Sequence, residues 1–186
     1  MHFSLCDLVT DITQNAAESG AALVELEIRE TEGEFRFIVK DNGKGMDQEQ
    51  LQRAVDPFVT DGIKHPHRKI GLGLPFLIQT AEQSGGGWDI QSKKQVGTTV
   101  TAFFDKTNVD MPPVGDVSGM FRSVILFSGP KEIVIHRQYT GGEQDNDYEV
   151  RKSELIDVLG DLEEAGSQIV LQKYLESMEE NEKGEE

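Results

Sequence analysis

Residues 37–47 read FIVKDNGKGMD. An apolar, β-branched run ends at Asp41, and two glycines follow, Gly43 and Gly45, with Lys44 between them. Two meanings compete for these glycines. Glycine takes positive φ at no steric cost and Asn-Gly is a common hairpin signal, so the stretch could be a plain turn. Glycine also lets backbone approach a bound molecule closely, so the stretch could line a ligand site. These residues alone do not decide between the two.

Outward from this stretch, hydrophobic periodicity predicts the elements. Residues 4–18, SLCDLVTDITQNAAE, put Leu5, Leu8, Val9, Ile12 and Ala16 on one helical face, with Gly20 suited to cap its end. Cys6 lies on that face and is expected to be buried and inert. ALVELEIRE and EFRFIVKD alternate apolar and polar residues as half-buried strands, and MDQEQLQRAV predicts a short helix. Residues 56–70, DPFVTDGIKHPHRKI, gather two prolines, a glycine and Lys64, His65, His67, Arg68 and Lys69, a basic loop in an acidic chain. GLGLPFLIQTAEQSGG runs into an apolar helix with Pro75 near its start, where a missing N–H costs little. WDIQSKK and TTVTAFF follow as strands, with Trp88 and the aromatics of FRFIV and AFF expected in the core.

Beyond Asp110-Met111-Pro112-Pro113, residues 115–128 predict a helix, KEIVIHRQY and DYEVRKSE a hairpin around Thr140-Gly141-Gly142, and 153–160 and 166–178 two more helices. Strands adjacent in sequence and joined by short turns imply an α/β (α+β) two-layer sandwich, its mixed, largely antiparallel sheet covered on one face by helices. The expected division is residues 1–107 as the main domain, 108–178 as a small α/β extension packed on or beside it, and 179–186 as an acidic tail.

Composition narrows the classes. In 186 residues, 37% are hydrophobic and 28% charged, which suits a packed core and argues against general disorder. A net charge of −16 disfavours coating nucleic acid or docking on anionic membranes, since both need basic surface. The single cysteine excludes an intrachain disulfide and a cysteine-rich zinc site. No apolar stretch reaches membrane-spanning length and no signal peptide is evident, so a soluble, cytoplasmic chain is expected.

Three features could carry chemistry. Asp11 and Asn15 are four apart and share a helical face. A predicted strand ends at Asp41. The basic loop precedes Gly71-Leu72-Gly73-Leu74 at a helix start. Singly these could be a solvated face, a turn and a cap. In this order they describe a nucleotide site. A strand-end carboxylate can accept from the exocyclic amine of adenine. An amide oxygen is a hard ligand suited to Mg²⁺, and a carboxylate one turn away can orient or deprotonate water. Glycine-rich backbone at a helix N-terminus offers free N–H groups to phosphate, and a basic loop can close over it as a lid.

From residue 4 to about 105 the chain resembles the ATPase superfamily of DNA gyrase, the Bergerat-fold heat-shock chaperone, histidine kinases and MutL-type mismatch-repair proteins. DLVTDITQNAAESGA resembles the first box, with Asn15 in the position of the magnesium ligand. DNGKGM resembles the second, where Asp41 would read adenine and Gly43, Gly45 and Met46 would line its pocket. DPFVT is similar to the segment that opens the kinase lid. GLGLPF resembles the phosphate box, implicating Gly71, Leu72, Gly73 and Leu74. GTTVTAFF resembles the last strand, where Thr98 would hold the base through water. With this resemblance, the glycines after Asp41 are expected to form an adenine pocket.

The resemblance implies the Bergerat fold, ATP with Mg²⁺, and lid closure that alters the surface shown to a partner. Asp11 would be the catalytic carboxylate, one methylene shorter than the glutamate usual in hydrolytic relatives, which implies slow hydrolysis. Glu18 stands three after Asn15, where histidine kinases often carry a basic residue. Lys64 or Lys69 would touch phosphate, or the loop is merely solvated. Two alternatives stay open: a histidine or anti-sigma-like serine kinase acting on a separate protein, and a switch with no useful turnover. Only one residue precedes His2, so no phosphoaccepting helix is expected ahead of the domain. His65 and His67 are expected to be lid residues rather than metal ligands. Residues 108–186 match no chemistry and are expected to dock an unidentified protein partner or form a homodimer.

Overall fold

The computed structural model describes residues 3–58, 73–142 and 145–180. Its elements are α1 (Leu5–Glu18), β1 (Leu23–Glu30), β2 (Glu34–Asp41), α2 (Gln48–Val55), α3 (Gly73–Gln83), β3 (Gly87–Lys93), β4 (Gly97–Asp105), α4 (Val117–Ile125), β5 (Glu132–Tyr139), β6 (Asn146–Arg151), α5 (Lys152–Leu159) and α6 (Ala165–Glu180). One mixed sheet runs in the order β3-β4-β2-β1-β5-β6. The β1–β5 pairing is parallel and the other four are antiparallel. Short turns join the antiparallel pairs β1–β2, β3–β4 and β5–β6, while the antiparallel β2–β4 pair and the parallel β1–β5 pair are closed by long returns.

The period-two pattern decides which face is covered. Val24, Leu26 and Ile28 of β1, Phe35, Phe37 and Val39 of β2, and Val100, Ala102 and Phe104 of β4 point into the core. Leu5, Leu8, Val9, Ile12 and Ala16 of α1 meet them, and α3, α4 and α6 extend the same core through Leu77, Phe121 and Leu171. Ser4 caps α1 in a reciprocal capping box with Asp7. The next two N–H groups, of Leu5 and Cys6, donate to the carbonyls of Pro113 and Val114, each at 2.9 Å. The segment after β4 therefore takes up donors that a helix N-terminus leaves unpaired. Burial pushes the Cys6 thiol up to about 12, which suits an inert side chain.

Three expectations need correction. Trp88 is not core: it sits on the edge strand β3, 38% exposed, with its indole N–H donating to Glu82 at 3.1 Å. An edge strand has a neighbour on one side only, and an indole can keep its polar tip wet there. Phe103 also lies on the open face, beneath the Arg36 guanidinium at 4.7 Å, while Phe104 is buried. The last strand stops at Arg151, and Lys152-Ser153-Glu154 open α5 instead of extending β6.

At the end of the sheet away from Asp41, Arg137 is 1% exposed and donates to Glu30 at 2.8 Å and to Glu179 of α6 at 3.3 Å. Lys106 donates to Glu30 at 2.7 Å, and the Tyr148 hydroxyl donates to Glu179. Pairing of this kind is what makes a buried guanidinium tolerable. Among the described residues, no helix is long and apolar enough to cross a membrane.

Candidate functional site

A cavity of about 500 Å³ opens between α1, the end of β2, α2, the start of α3 and β4. Small-molecule sites commonly hold about 300–1,000 Å³. Ile12, Asn15, Ala16 and Ser19 line one wall, at the i, i+3, i+4, i+7 spacing of one helical face. Val39 and Val100 supply apolar surface from adjacent strands, and Asp41 and Thr98, opposite one another in the β2–β4 register, add polar groups. Met46, Gln50, Arg53 and Ala54 form the wall on the α2 side, and Gly73 and Leu74 open α3 against it.

Asp41 is the last residue of β2 and is 9% exposed. Its Oδ1 accepts the Gly43 N–H at 2.8 Å and the Ser19 hydroxyl at 3.1 Å. Burial pushes the carboxyl above the usual carboxylate range, against smaller opposing effects from Gly43, Ser19 and Thr98.

The glycines after Asp41 serve the backbone first. A Cβ on Gly43 would stand 1.9 Å from Ser19 Oγ, and Gly43 is not among the residues lining the cavity. Gly45 does line it, at φ +58°, and a Cβ there would stand 1.9 Å from the Lys93 carbonyl oxygen. The Lys44 N–H donates to the Ser19 carbonyl at 3.1 Å, and the Lys44 carbonyl accepts from Gln95 at 2.6 Å. Asn42 Oδ1 accepts from the N–H groups of Ala22 and Leu23. No hairpin forms here. The loop is clamped between α1 and the β3–β4 turn, and that clamp sets the Asp41 carboxylate at the cavity.

Asn15 and Gly73 meet across the cavity: a Cβ on Gly73 would lie 3.4 Å from Asn15 Nδ2. The first and third sequence motifs are thus adjacent in space. Glu18 also lines the cavity and accepts from Gln14 at 3.1 Å. Asp11 is exposed on α1, one turn before Asn15, and is not among the described lining residues. Lys64, Lys69, Gly71 and Leu72, with His65 and His67, lie outside the described residues.

Ser19 and Ser92 are among the residues of the site that the sequence reading did not assign to it. Ser19 was hidden in a helix stop. Ser92 bridges the Met46 N–H and Thr98 Oγ1, each at 2.8 Å, and only the Ser92–Thr98 register of the β3–β4 pair brings it there. Among the described residues no group of three or more His, Cys, Asp or Glu could hold a metal. The donor set does fit Mg²⁺: a single amide oxygen on Asn15, with the remaining ligands left to phosphate and water.

The family model described as histidine kinase-, DNA gyrase B-, and HSP90-like ATPase matches residues 3–108. The tetrathionate sensor histidine kinase TtrS of Salmonella typhimurium is 31% identical over 103 residues, 52% of this chain and 16% of that protein. The DNA mismatch repair protein MutL of Thermus aquaticus is 36% identical over 71 residues, 38% of this chain and 13% of that protein. The chain thus spans less than a fifth of the length of either relative. The solved Aquifex aeolicus MutL ATPase domain complexed with ADP aligns over 91% of this chain and 68% of that one, with TM-score 0.39 and 14% identity. The matched segment runs from α1 through β4 and carries the cavity, in the mixed, helix-covered sheet of the Bergerat fold; the chain belongs to the histidine kinase-, DNA gyrase B- and HSP90-like ATPases.

Proposed function

We propose that the cavity binds ATP with Mg²⁺, turns it over slowly, and uses nucleotide-driven closure of the segment before α3 to control a partner protein. The observation that carries this is the buried Asp41 carboxylate, held by Ser19 and Gly43 at the edge of a cavity of about 500 Å³. Asp41 accepts from the adenine amine, with Gly45, Met46 and Thr98 around the base. Val39 and Val100 pack the ring, Asn15 holds the metal, and Gly73 and Leu74 at the head of α3 receive phosphate with Gly71 and Leu72. Lys64 and Lys69 are the candidate lid cations. Residues 3–108 form the nucleotide unit, and the remainder completes the sheet and offers the partner surface.

A second reading draws on a specific observation. Asp11, the candidate base for hydrolysis, is one methylene shorter than the glutamate usual in hydrolytic relatives. That favours phosphotransfer to a separate protein, or binding alone, over efficient attack by water. Following γ-labelled ATP with Mg²⁺ in wild type and Asp11→Asn separates the readings. Free phosphate that is lost in the variant supports hydrolysis with Asp11 as base. Bound nucleotide without phosphate release supports a kinase awaiting its substrate or a switch. Absence of nucleotide binding would remove all three.

A further inference from the structure

We propose that Glu18 reads the ribose of the nucleotide, accepting from its vicinal hydroxyls and so setting a preference for ribonucleotides over deoxyribonucleotides; this rests on the ATP-binding reading above. Among the described residues that line the cavity, the only carboxylates are Asp41 and Glu18. Asp41 is 9% exposed and is taken by the base, whereas Glu18 is exposed at the mouth. Glu18 Oε1 accepts the Gln14 amide at 3.1 Å. That contact steadies the side chain and leaves most of the acceptor capacity of an ionised carboxylate unused.

Helix α1 sets where along the nucleotide Glu18 stands. Ser19, whose hydroxyl donates to Asp41 at 3.1 Å, marks the base end. Asn15, with Nδ2 3.4 Å from where a Cβ on Gly73 would lie, marks the phosphate end. With an axial rise of about 1.5 Å per residue, Glu18 stands about 4.5 Å beyond Asn15 and about 1.5 Å short of Ser19. The sugar joins base to phosphate, so a side chain between the two ends and nearer the base meets the sugar. A base seated inward among the buried Ala16, Val39 and Val100 turns that sugar toward the mouth. The chemistry agrees. An ionised carboxylate only accepts, and a vicinal diol offers two donors. Beside phosphate the same carboxylate would face like charge. Acidic side chains take ribose hydroxyls in dinucleotide-binding folds as well.

The experiment measures dissociation constants of Mg-ATP, 2′-deoxy-ATP and 3′-deoxy-ATP by calorimetry for wild type and Glu18→Ala, with thermal unfolding as a fold check. Alanine is the best helix former, so the exposed substitution leaves α1 intact. Wild type should prefer ATP to each deoxynucleotide by roughly 3- to 10-fold, the scale of one solvent-exposed hydrogen bond. Glu18→Ala should bind all three with nearly equal affinity. Comparing the nucleotides within each protein isolates the sugar: a carboxylate that acted only by repelling phosphate would weaken all three alike, and its removal would leave their ratios fixed. Equal binding of the three by wild type, or a ratio unmoved in folded Glu18→Ala, overturns the proposal. Wild type that binds none of them refutes the ATP-binding reading itself, a result distinct from an unmoved ratio.

Discussion

The Ser19 hydroxyl donates to Asp41 Oδ1 at 3.1 Å, joining the C-terminal end of α1 to the end of β2 across 22 residues. The same hydroxyl contacts the Ala16 carbonyl at 2.7 Å, so its position is set by the helix that also carries Asn15. The carboxylate proposed to read the base and the amide proposed to hold the metal are thereby mounted on one frame. Asp41→Asn preserves volume but places an amide where a charged acceptor stood. ATP affinity should fall roughly 10- to 100-fold, the range for a hydrogen bond to a charged group. Calorimetric titration against a folded variant checks it, and wild-type affinity would put the base somewhere other than Asp41.

Asp41 is also expected to make ATP binding pH-dependent. Burial raises its pKa above the ordinary 3.8. For the nucleotide-free protein, a raised carboxyl pKa means that ionisation costs stability, and the cost is relieved as pH falls through the raised value. An amine donor favours the charged carboxylate, so ATP should lower this pKa and binding should expel a proton. Affinity should therefore decline as pH drops from neutral through the raised pKa toward 3.8, and Asp41→Asn should flatten the decline. Titrations in buffers of different ionisation enthalpy read the proton directly. Proton uptake on binding would contradict the assignment.

Asn15→Ala removes the one side-chain oxygen proposed for the metal, while leaving the helix, since alanine is the best helix former. ATP affinity in the variant should become nearly equal with Mg²⁺ and with chelator, whereas wild type should bind more tightly with Mg²⁺. A metal dependence that survives the substitution would place the cation on other ligands.

Most of the fold was legible because its signals are local. EFRFIVKD predicts β2 to the residue, since period-two alternation stops where the polar run begins. α1 follows from its apolar stripe and the stop at Gly20, which takes φ +80°. What failed was contact-dependent. Trp88 is expected in the core with the other aromatics, and no local signal marks β3 as an edge. At Gly43, expected beside the base, the missing side chain also makes room for Ser19, a contact that local sequence does not show. Ser92 entered the site only through register. The parallel return of β5 beside β1 is likewise a long-range pairing that no turn residue announces.

That return places a charge cluster where it can be tested. Arg137 of β5, Glu30 of β1 and Glu179 of α6 connect the segment beyond the family match to the nucleotide-binding sheet. Replacing Arg137 with Met keeps much of the apolar stem but leaves Glu30 and Glu179 short of a buried cation. Breaking one partner of a buried pair costs about 3–5 kcal/mol, far more than the pair contributes relative to an apolar substitute. Lys106 still donates to Glu30 at 2.7 Å, which argues for the lower end of that range. Adding Glu30→Gln to Arg137→Met removes one stranded carboxylate and should recover part of the loss. Chemical unfolding of both variants tests this. Equal stability of wild type and Arg137→Met would mean that the C-terminal strand pair is held by β1–β5 hydrogen bonds and core packing alone.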